Sequence, residues 1–195
     1  MQKIILASQS PRRKQLLEWA EIPFDVLVKE TDESYPEDLS KEEIAIHIAR
    51  NKALAVEKTY KVSKNLIGLM PILAADTIVV LENEIIGKPT DRDDAIKILS
   101  RLSGKKHKVI TGVVILTKEK EMTFSETTEV EFHVLSVAQI EFYVDNYKPY
   151  DKAGAYAIQE WIGVVGIKSI KGDFYNVMGL PVSRVVKELT NLIIS

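Results

Sequence analysis

An apolar segment interrupted by a single acid constrains this chain more than any other feature. Residues 72–75 and 78–81 are all apolar, and Asp76-Thr77 stands between them. The pattern predicts a buried strand from Pro71 to Leu81. A carboxylate in such a strand loses its hydration, so it needs a cation, a metal ion or several hydrogen-bond donors. We therefore expect Asp76 to belong to a catalytic or metal-binding site, with a structural ion pair as the alternative.

Helix and strand signals around this segment predict a mixed α/β fold. Further strands are expected at Ile4–Ala7, Ile85–Ile86, Lys108–Thr117 and Met122–Val134, and in a hairpin of residues 164–170 and 173–177. Helix starts are indicated by Ser10-Pro11, by the capping boxes Ser40 to Glu43 and Ser136 to Gln139, by Asp91 and by Pro181. With no linker or repeat, we expect one domain over residues 1–195, a mixed central sheet with flanking helices.

The composition of the chain excludes several classes of protein. Its 195 residues include 26 Lys and Arg against 28 Asp and Glu, a net charge of −2 that argues against general binding of nucleic acids or lipid surfaces. The absence of cysteine excludes disulfides and thiol nucleophiles and fits a reducing cytoplasm. No apolar run approaches the ~20 residues of a membrane span, and Arg12-Arg13 come too early for a signal peptide. We expect a cytoplasmic protein with no nucleic-acid or membrane partner.

The start of the first predicted helix is unusually basic. Arg12, Arg13 and Lys14 occupy its first turn, where helices normally favour acids. Together with the hydroxyl of Ser8 and the free N–H groups of the helix, the two guanidinium groups would form an anion site, most naturally for phosphate. A solvated basic turn is the alternative.

Lys52 lies on the apolar side of the second predicted helix. At ~100° per residue from Ile44, Lys52 falls near 80°, between Ile48 and Ala49. The helix would then direct an ammonium group towards a bound anion. The alternative is a lysine whose stem covers apolar surface while its charge reaches water.

Other candidates carry weaker signals on their own. Glu33 lies in an acidic, turn-like segment, Lys88 is fixed between Gly87 and Pro89, and Gln159 ends a segment of small residues. By themselves these residues would usually be solvated. His107 is expected in a loop, and the three histidines lack metal-ligand spacing.

Six motifs in order resemble the Maf family, which is named for septum formation. They are Ser8-Gln9-Ser10-Pro11-Arg12-Arg13, Ala75-Asp76-Thr77, Gly87-Lys88-Pro89, Leu102-Ser103-Gly104, Asp151-Lys152-Ala153-Gly154-Ala155-Tyr156 and Gly179-Leu180-Pro181. The resemblance runs from residue 4 to about residue 185. It implies an elongated α/β fold related to the inosine triphosphatases, with two lobes around a cleft, and often a homodimer. The implied reaction is metal-dependent hydrolysis of a nucleoside triphosphate to the monophosphate and pyrophosphate.

The resemblance also implies roles for individual residues. Asp76 corresponds to the proton acceptor, and the residues around the triphosphate correspond to Ser8, Arg12, Arg13, Lys52 and Lys88. Glu33 would be a metal or water ligand beside Asp76, and such hard oxygen ligands suit Mg²⁺ or Mn²⁺. Arg12, Thr77 and Gln159 match positions that separate the subfamilies, and they are similar to the branch acting on dTTP and UTP.

One residue departs from the family pattern. Glu160 stands where the family usually has glycine after Gln159. Its carboxylate either points away from the site or reshapes the base pocket, which leaves open a preference for a purine or a modified base. A nucleotide-binding regulator of cell division without catalysis is a further alternative, and the intact Asp76 disfavours it.

Overall fold

The computed structural model describes residues 2–63 and 70–194, in which seven strands form a mixed sheet with helices beside it. The elements are β1 (Ile4–Leu6), α1 (Pro11–Trp19), β2 (Phe24–Val26), α2 (Lys41–Ser63), β3 (Ile72–Leu81), β4 (Glu84–Ile86), α3 (Arg92–Leu102), β5 (Lys106–Leu116), β6 (Glu121–Phe132), α4 (Val137–Tyr147), a 3₁₀ turn (Ala153–Ala155), α5 (Trp161–Gly166), β7 (Ile167–Lys171), α6 (Phe174–Met178) and α7 (Val182–Ile194). The predicted mixed α/β class is confirmed.

The strand order is β2-β1-β3-β5-β6-β7, and β4 pairs with β3 outside this path. The strand β1 is parallel to both β2 and β3, whereas the pairs β3–β4 and β6–β7 are antiparallel. Parallel pairing of β1 with β3 aligns Leu6 with Leu73. Beyond these two residues, each segment leads to a predicted site residue. Ser8 therefore follows β1 closely, while Asp76 lies three residues beyond Leu73 on the neighbouring strand.

The chain divides into two compact units. The first comprises residues 1–76, 111–126 and 179–195, and the second comprises residues 77–110 and 127–178. Three of the four divisions fall inside β3, β5 and β6, so these strands contribute residues to both units, and the fourth lies between α6 and α7. The single domain, the elongated shape and the cleft between lobes stay predictions.

In the first unit, α2 packs closely on the sheet. Ala49, Ala53 and Val56 contact a cluster formed by Ile5, Ala7, Ile72, Ala74 and Val114. At Gly112 of β5 a Cβ atom would lie 2.3 Å from the backbone of Ala45, so only glycine allows this approach. The small residues therefore hold α2 close to the strands, and the backbone of Lys52 with it.

Two sequence predictions are wrong. Residues 161–166 form α5, β7 pairs with β6, and residues 174–178 form α6, so the predicted hairpin does not exist. Asp173 starts α6 because its Oδ1 accepts a hydrogen bond of 2.7 Å from the N–H of Tyr175. His107 is not a loop residue but a buried member of β5. Within the described ranges, none of the helices has the length and hydrophobicity of a membrane span.

Candidate active site

The first turn of α1 is built as predicted from Ser10 and Pro11. The Oγ of Ser10 accepts a hydrogen bond of 3.4 Å from the N–H of Arg13, and Pro11 occupies the first helical position. The Oγ of Ser8 in turn accepts from the N–H of Ser10 at 3.2 Å. This turn has no acidic residue that would repel an external anion.

Arg13 is a buried part of this turn. Its Nε donates to the carbonyl oxygen of Gly179 at 2.7 Å, and its Nη1 donates to the Oγ of Ser8 at 3.1 Å. Burial lowers the pKa of the Arg13 guanidinium, and the carboxylates of Asp76 and Glu33 oppose that lowering. Arg13 is therefore not a solvated basic residue, because the fold holds its charge near the two predicted acids.

Lys52 joins the two acids. Its Nζ lies 2.6 Å from Oδ1 of Asp76 and 2.8 Å from Oε1 of Glu33. The side chains of Lys52 and Asp76 are 19% and 14% exposed, whereas Glu33 is 53% exposed. The ammonium group does not reach past the helix into bulk water, which contradicts the alternative interpretation of Lys52. It instead lies between a carboxylate of the sheet and a carboxylate of a surface loop.

These contacts place Ser8, Arg13, Glu33, Lys52 and Asp76 together in the first unit. Arg12, which is half-buried, also acts electrostatically on Arg13. The group combines donors for phosphate oxygens with two carboxylates that already share one cation. Across the part of the chain that the structure describes, no three His, Asp or Glu side chains converge as a metal-binding group.

The remaining predicted residues belong to the second unit. Thr77 is half-buried in β3, while Lys88 and Gln159 are exposed on loops. The loop of Lys88 is anchored because the N–H of Gly154 donates to the carbonyl oxygen of Gly87 at 3.0 Å. Gly154 has a φ of +72°, a conformation that favours glycine, so glycine suits the position that makes this contact.

Glu160 is held inside the second unit. The hydroxyl of Tyr143 donates to its Oε2, and the Nζ of Lys152 lies 3.6 Å from its Oε1. No sequence signal predicts this role for Tyr143, because its helical spacing with Ile140 and Val144 indicates only a buried face. The hydrogen bond between Nε2 of His107 and the hydroxyl of Tyr156, 2.7 Å long, likewise has no signal in the sequence.

Comparisons with known proteins agree with the motifs. Residues 3–192 match the model of a family described as Maf-like protein. The chain is similar to the dTTP/UTP pyrophosphatase of Cytophaga hutchinsonii, with 50% identity over 97% of this chain and 84% of that protein. The dTTP/UTP pyrophosphatases of Bacteroides fragilis and Bacillus cereus are each 47% identical over 97% of this chain, which covers 96% and 95% of those proteins.

The comparison with solved structures gave a more distant similarity. The Ham1 protein of Staphylococcus aureus matches with a TM-score of 0.42 and 16% sequence identity. The match covers 67% of this chain and 71% of that protein.

Proposed function

Since this chain belongs to the Maf family, we propose that it hydrolyses dTTP and UTP to the nucleoside monophosphate and pyrophosphate. Relatives that are 47–50% identical along almost the whole chain carry the name dTTP/UTP pyrophosphatase, which supports this assignment. The observation that carries it is the group of Ser8, Arg13, Lys52, Asp76 and Glu33, which combines phosphate-binding donors with a carboxylate able to accept a proton.

The cations of the site suit a triphosphate. A nucleoside triphosphate carries about four negative charges, which cationic side chains and a chelated metal ion neutralise in phosphoryl-transfer sites. Arg13 offers a guanidinium whose position is fixed by Gly179 and Ser8, and Lys52 offers an ammonium beside the acid. Arg12 and Lys88 are the further cations that we assign to the phosphates.

Asp76 is the proton acceptor in this proposal. The oxygen of a water molecule forms a bond to the α-phosphorus, and the bond from that phosphorus to the oxygen of the pyrophosphate group breaks. The proton of the water molecule passes to the Asp76 carboxylate. The hydrogen bond from Lys52 fixes the orientation of that carboxylate. Lys52 then also remains close to the negative charge that develops on the phosphate oxygens.

Asp76 and Glu33 would hold Mg²⁺ or Mn²⁺. Both carboxylates contact the Nζ of Lys52, so the fold brings the two acids together in the same place. Hard oxygen donors and a small number of protein ligands suit Mg²⁺, which completes its coordination with water and phosphate. When bound, the ion would neutralise phosphate charge and favour ionisation of water.

Gln159 is the residue that we assign to recognition of the base. Its amide offers an acceptor and a donor, the complement of N3–H and O4 of uracil or thymine. Cytosine reverses both groups, so CTP would leave polar atoms unpaired. Arg12 and Thr77 would complete the selection of the base. The exposed position of Gln159 leaves its amide accessible to a ligand.

We also propose a cytoplasmic location and a homodimer. The near-neutral charge and the lack of cysteine support the location and disfavour nucleic-acid or lipid partners. The dimer is supported by the resemblance to the family.

Release of pyrophosphate from a panel of nucleoside triphosphates tests the proposed function. With saturating Mg²⁺, kcat/KM should be highest for UTP and dTTP and lower for CTP, ATP, GTP and 7-methyl-GTP. A preference for a purine or a modified base would contradict the assigned substrates while leaving the reaction in place. No release from any nucleotide would contradict the reaction itself.

A further inference from the structure

Gln159 lies at the tip of a tight turn formed by residues 157–160. The N–H of Glu160 donates to the carbonyl oxygen of Ala157 at 3.1 Å, so Ile158 and Gln159 are the two central residues. Ala157 and Ile158 are buried, whereas Gln159 is exposed. The first two residues of the turn are therefore anchored in the interior, while the side chain of Gln159 is directed outwards.

One hydroxyl holds both ends of this turn. Tyr143 of α4 is completely buried, and its hydroxyl oxygen accepts a hydrogen bond of 3.1 Å from the N–H of Ala157. The same hydroxyl donates to Oε2 of Glu160. A phenolic hydroxyl can accept and donate at once, so the two bonds coexist. Tyr143 thus connects the first and the last residue of the turn to one helix.

The carboxylate of Glu160 has a second charged neighbour. The Nζ of Lys152 lies 3.6 Å from Oε1 of Glu160 and 2.7 Å from Oδ1 of Asp151. Lys152 is buried, so its charge is compensated by these two acids. The Glu160 side chain makes no capping bond to α5, although it stands at the N-terminus of that helix. Its carboxylate is therefore committed to Tyr143 and Lys152.

The helix α5 supports the turn from another side. A Cβ atom at Gly163 would lie 1.7 Å from the carbonyl oxygen of Ile158, so only glycine lets α5 pack against the turn. The N–H of Gly163 donates to the carbonyl oxygen of Glu160 at 2.9 Å. Both residues that flank Gln159 are thus fixed, Ile158 by packing and Glu160 by hydrogen bonds.

We propose that Tyr143 and Glu160 are positioning residues for base recognition, which hold the turn so that Gln159 presents its amide in one orientation. This inference rests on the proposed function. An amide distinguishes uracil from cytosine only if its donor and acceptor keep their places, because a loose side chain can satisfy either base. Glu160, which departs from the family pattern, therefore supports pyrimidine selection indirectly, because its contacts with Tyr143 and Lys152 hold the turn that carries Gln159.

The test uses Tyr143→Phe, which removes one hydroxyl from a buried ring, and Glu160→Ala, which removes the partner carboxylate. Both should lower the ratio of kcat/KM for UTP to that for CTP by about tenfold, roughly the effect of one hydrogen bond. The loss should lie in KM for UTP, with kcat within about threefold of wild type. Glu160→Gln should retain most of the ratio, because its amide oxygen still accepts from Tyr143.

Tyr147→Phe is the matched control. Tyr147 stacks on Tyr143 from the same helix with ring centroids 5.0 Å apart, and its hydroxyl makes no hydrogen bond to a residue within the described ranges. This variant should keep the wild-type ratio. Amide hydrogen exchange at Ala157 should be faster in Tyr143→Phe and unchanged in Tyr147→Phe.

An unchanged ratio in folded Glu160→Ala and Tyr143→Phe would overturn the inference and reduce the contact to a structural one. A parallel loss in Tyr147→Phe would also overturn it, because any damage to α4 would then have the same effect. If wild type itself shows no preference for UTP over CTP, the proposed substrate fails, and the inference fails with it. That outcome is recognised before any variant is measured.

Discussion

The Nζ of Lys52 lies 2.6 Å from Oδ1 of Asp76. This contact pairs two charged residues that each interrupt an apolar surface. One is a lysine in the packed face of α2, and the other is an acid in the middle of β3. Their pairing explains how each charge is tolerated. Glu33 binds the same ammonium, so the group holds two acids for one lysine and is more than a balanced structural pair.

Replacement of Lys52 by methionine should separate catalysis from packing. Met keeps the length and apolar stem of the side chain but removes the ammonium. We expect kcat/KM for UTP to fall about 10²–10³-fold, the usual effect of losing one group that stabilises developing charge. The variant should remain folded but with a lower melting temperature, because methionine leaves the carboxylate of Asp76 without its cation. Lys58→Met, at an exposed position of the same helix, is the control, and full activity in Lys52→Met would return Lys52 to a structural role.

Arg13 should not be replaceable by lysine. The ammonium of lysine cannot keep both the bond to Gly179 and the bond to Ser8, which arise from different nitrogen atoms of the guanidinium. Arg13→Lys should raise KM for UTP about tenfold or more and lower the free energy of unfolding by about 2 kcal/mol. Enzyme kinetics and urea denaturation measure the two effects. Lys14→Ala, in the same turn, should change neither, and a fully active, stable Arg13→Lys would disprove the proposed phosphate contact.

Gln159→Ala should affect the choice of base more than the rate. The ratio of kcat/KM for UTP to that for CTP should fall about tenfold or more, because the polar contacts that reject cytosine are lost. The kcat for UTP should change less than this ratio. Competition assays with both nucleotides measure the effect, and Gln15→Ala on the exposed side of α1 is the control. An unchanged ratio would show that Gln159 does not read the base.

Local signals predicted much of the fold. Ser40 and Glu43 form the expected capping box, with hydrogen bonds of 2.9 and 3.2 Å, and Ser136 and Gln139 form another. The low exposure of Asp76 and the inward direction of Lys52 follow from their positions in apolar patterns. These features depend on neighbours in the sequence, or on the period of a single helix, and such patterns are visible in the sequence.

Contacts between distant segments could not be predicted in this way. Lys52 could be placed on the inner side of its helix, but its two partners depend on how α2 crosses the sheet. The hydroxyl of Tyr143 has no sequence signal because an inward tyrosine is usually a packing residue. The five residues of α6 are too few to distinguish a helix from a strand by periodicity.

The burial of His107 is another contact between distant segments that the sequence does not predict. It makes the stability of the fold depend on pH. The lysines before it suggested a loop, but its ring is buried beside Phe132 and Tyr156. Burial lowers the pKa of His107 from the ordinary 6.5 to about 4. Between these values the unfolded chain binds a proton that the folded chain does not. The contribution to stability is therefore complete above about pH 6.5 and is lost as the pH falls towards 4.

Urea denaturation at two pH values tests this prediction. Wild type should lose about 2 kcal/mol from His107 between pH 7.5 and pH 5. His107→Gln cannot take up a proton, so its stability should depend less on pH by that amount. His133→Gln, at an exposed position, should behave like wild type. The same pH dependence in His107→Gln and wild type would contradict the neutral, buried histidine.

The role of Asp76 in hydrolysis to pyrophosphate is tested most directly by ³¹P NMR of UTP with wild type and Asp76→Asn at saturating Mg²⁺. Wild type should yield UMP and pyrophosphate. Asp76→Asn should be slower by about 10²–10⁴-fold, because an amide cannot accept the proton of water. Asp25→Asn, which alters an exposed acid paired with Lys3, should retain wild-type turnover. Formation of UDP and phosphate by wild type, or turnover of Asp76→Asn within a fewfold of wild type, would contradict the proposed reaction and its proton acceptor.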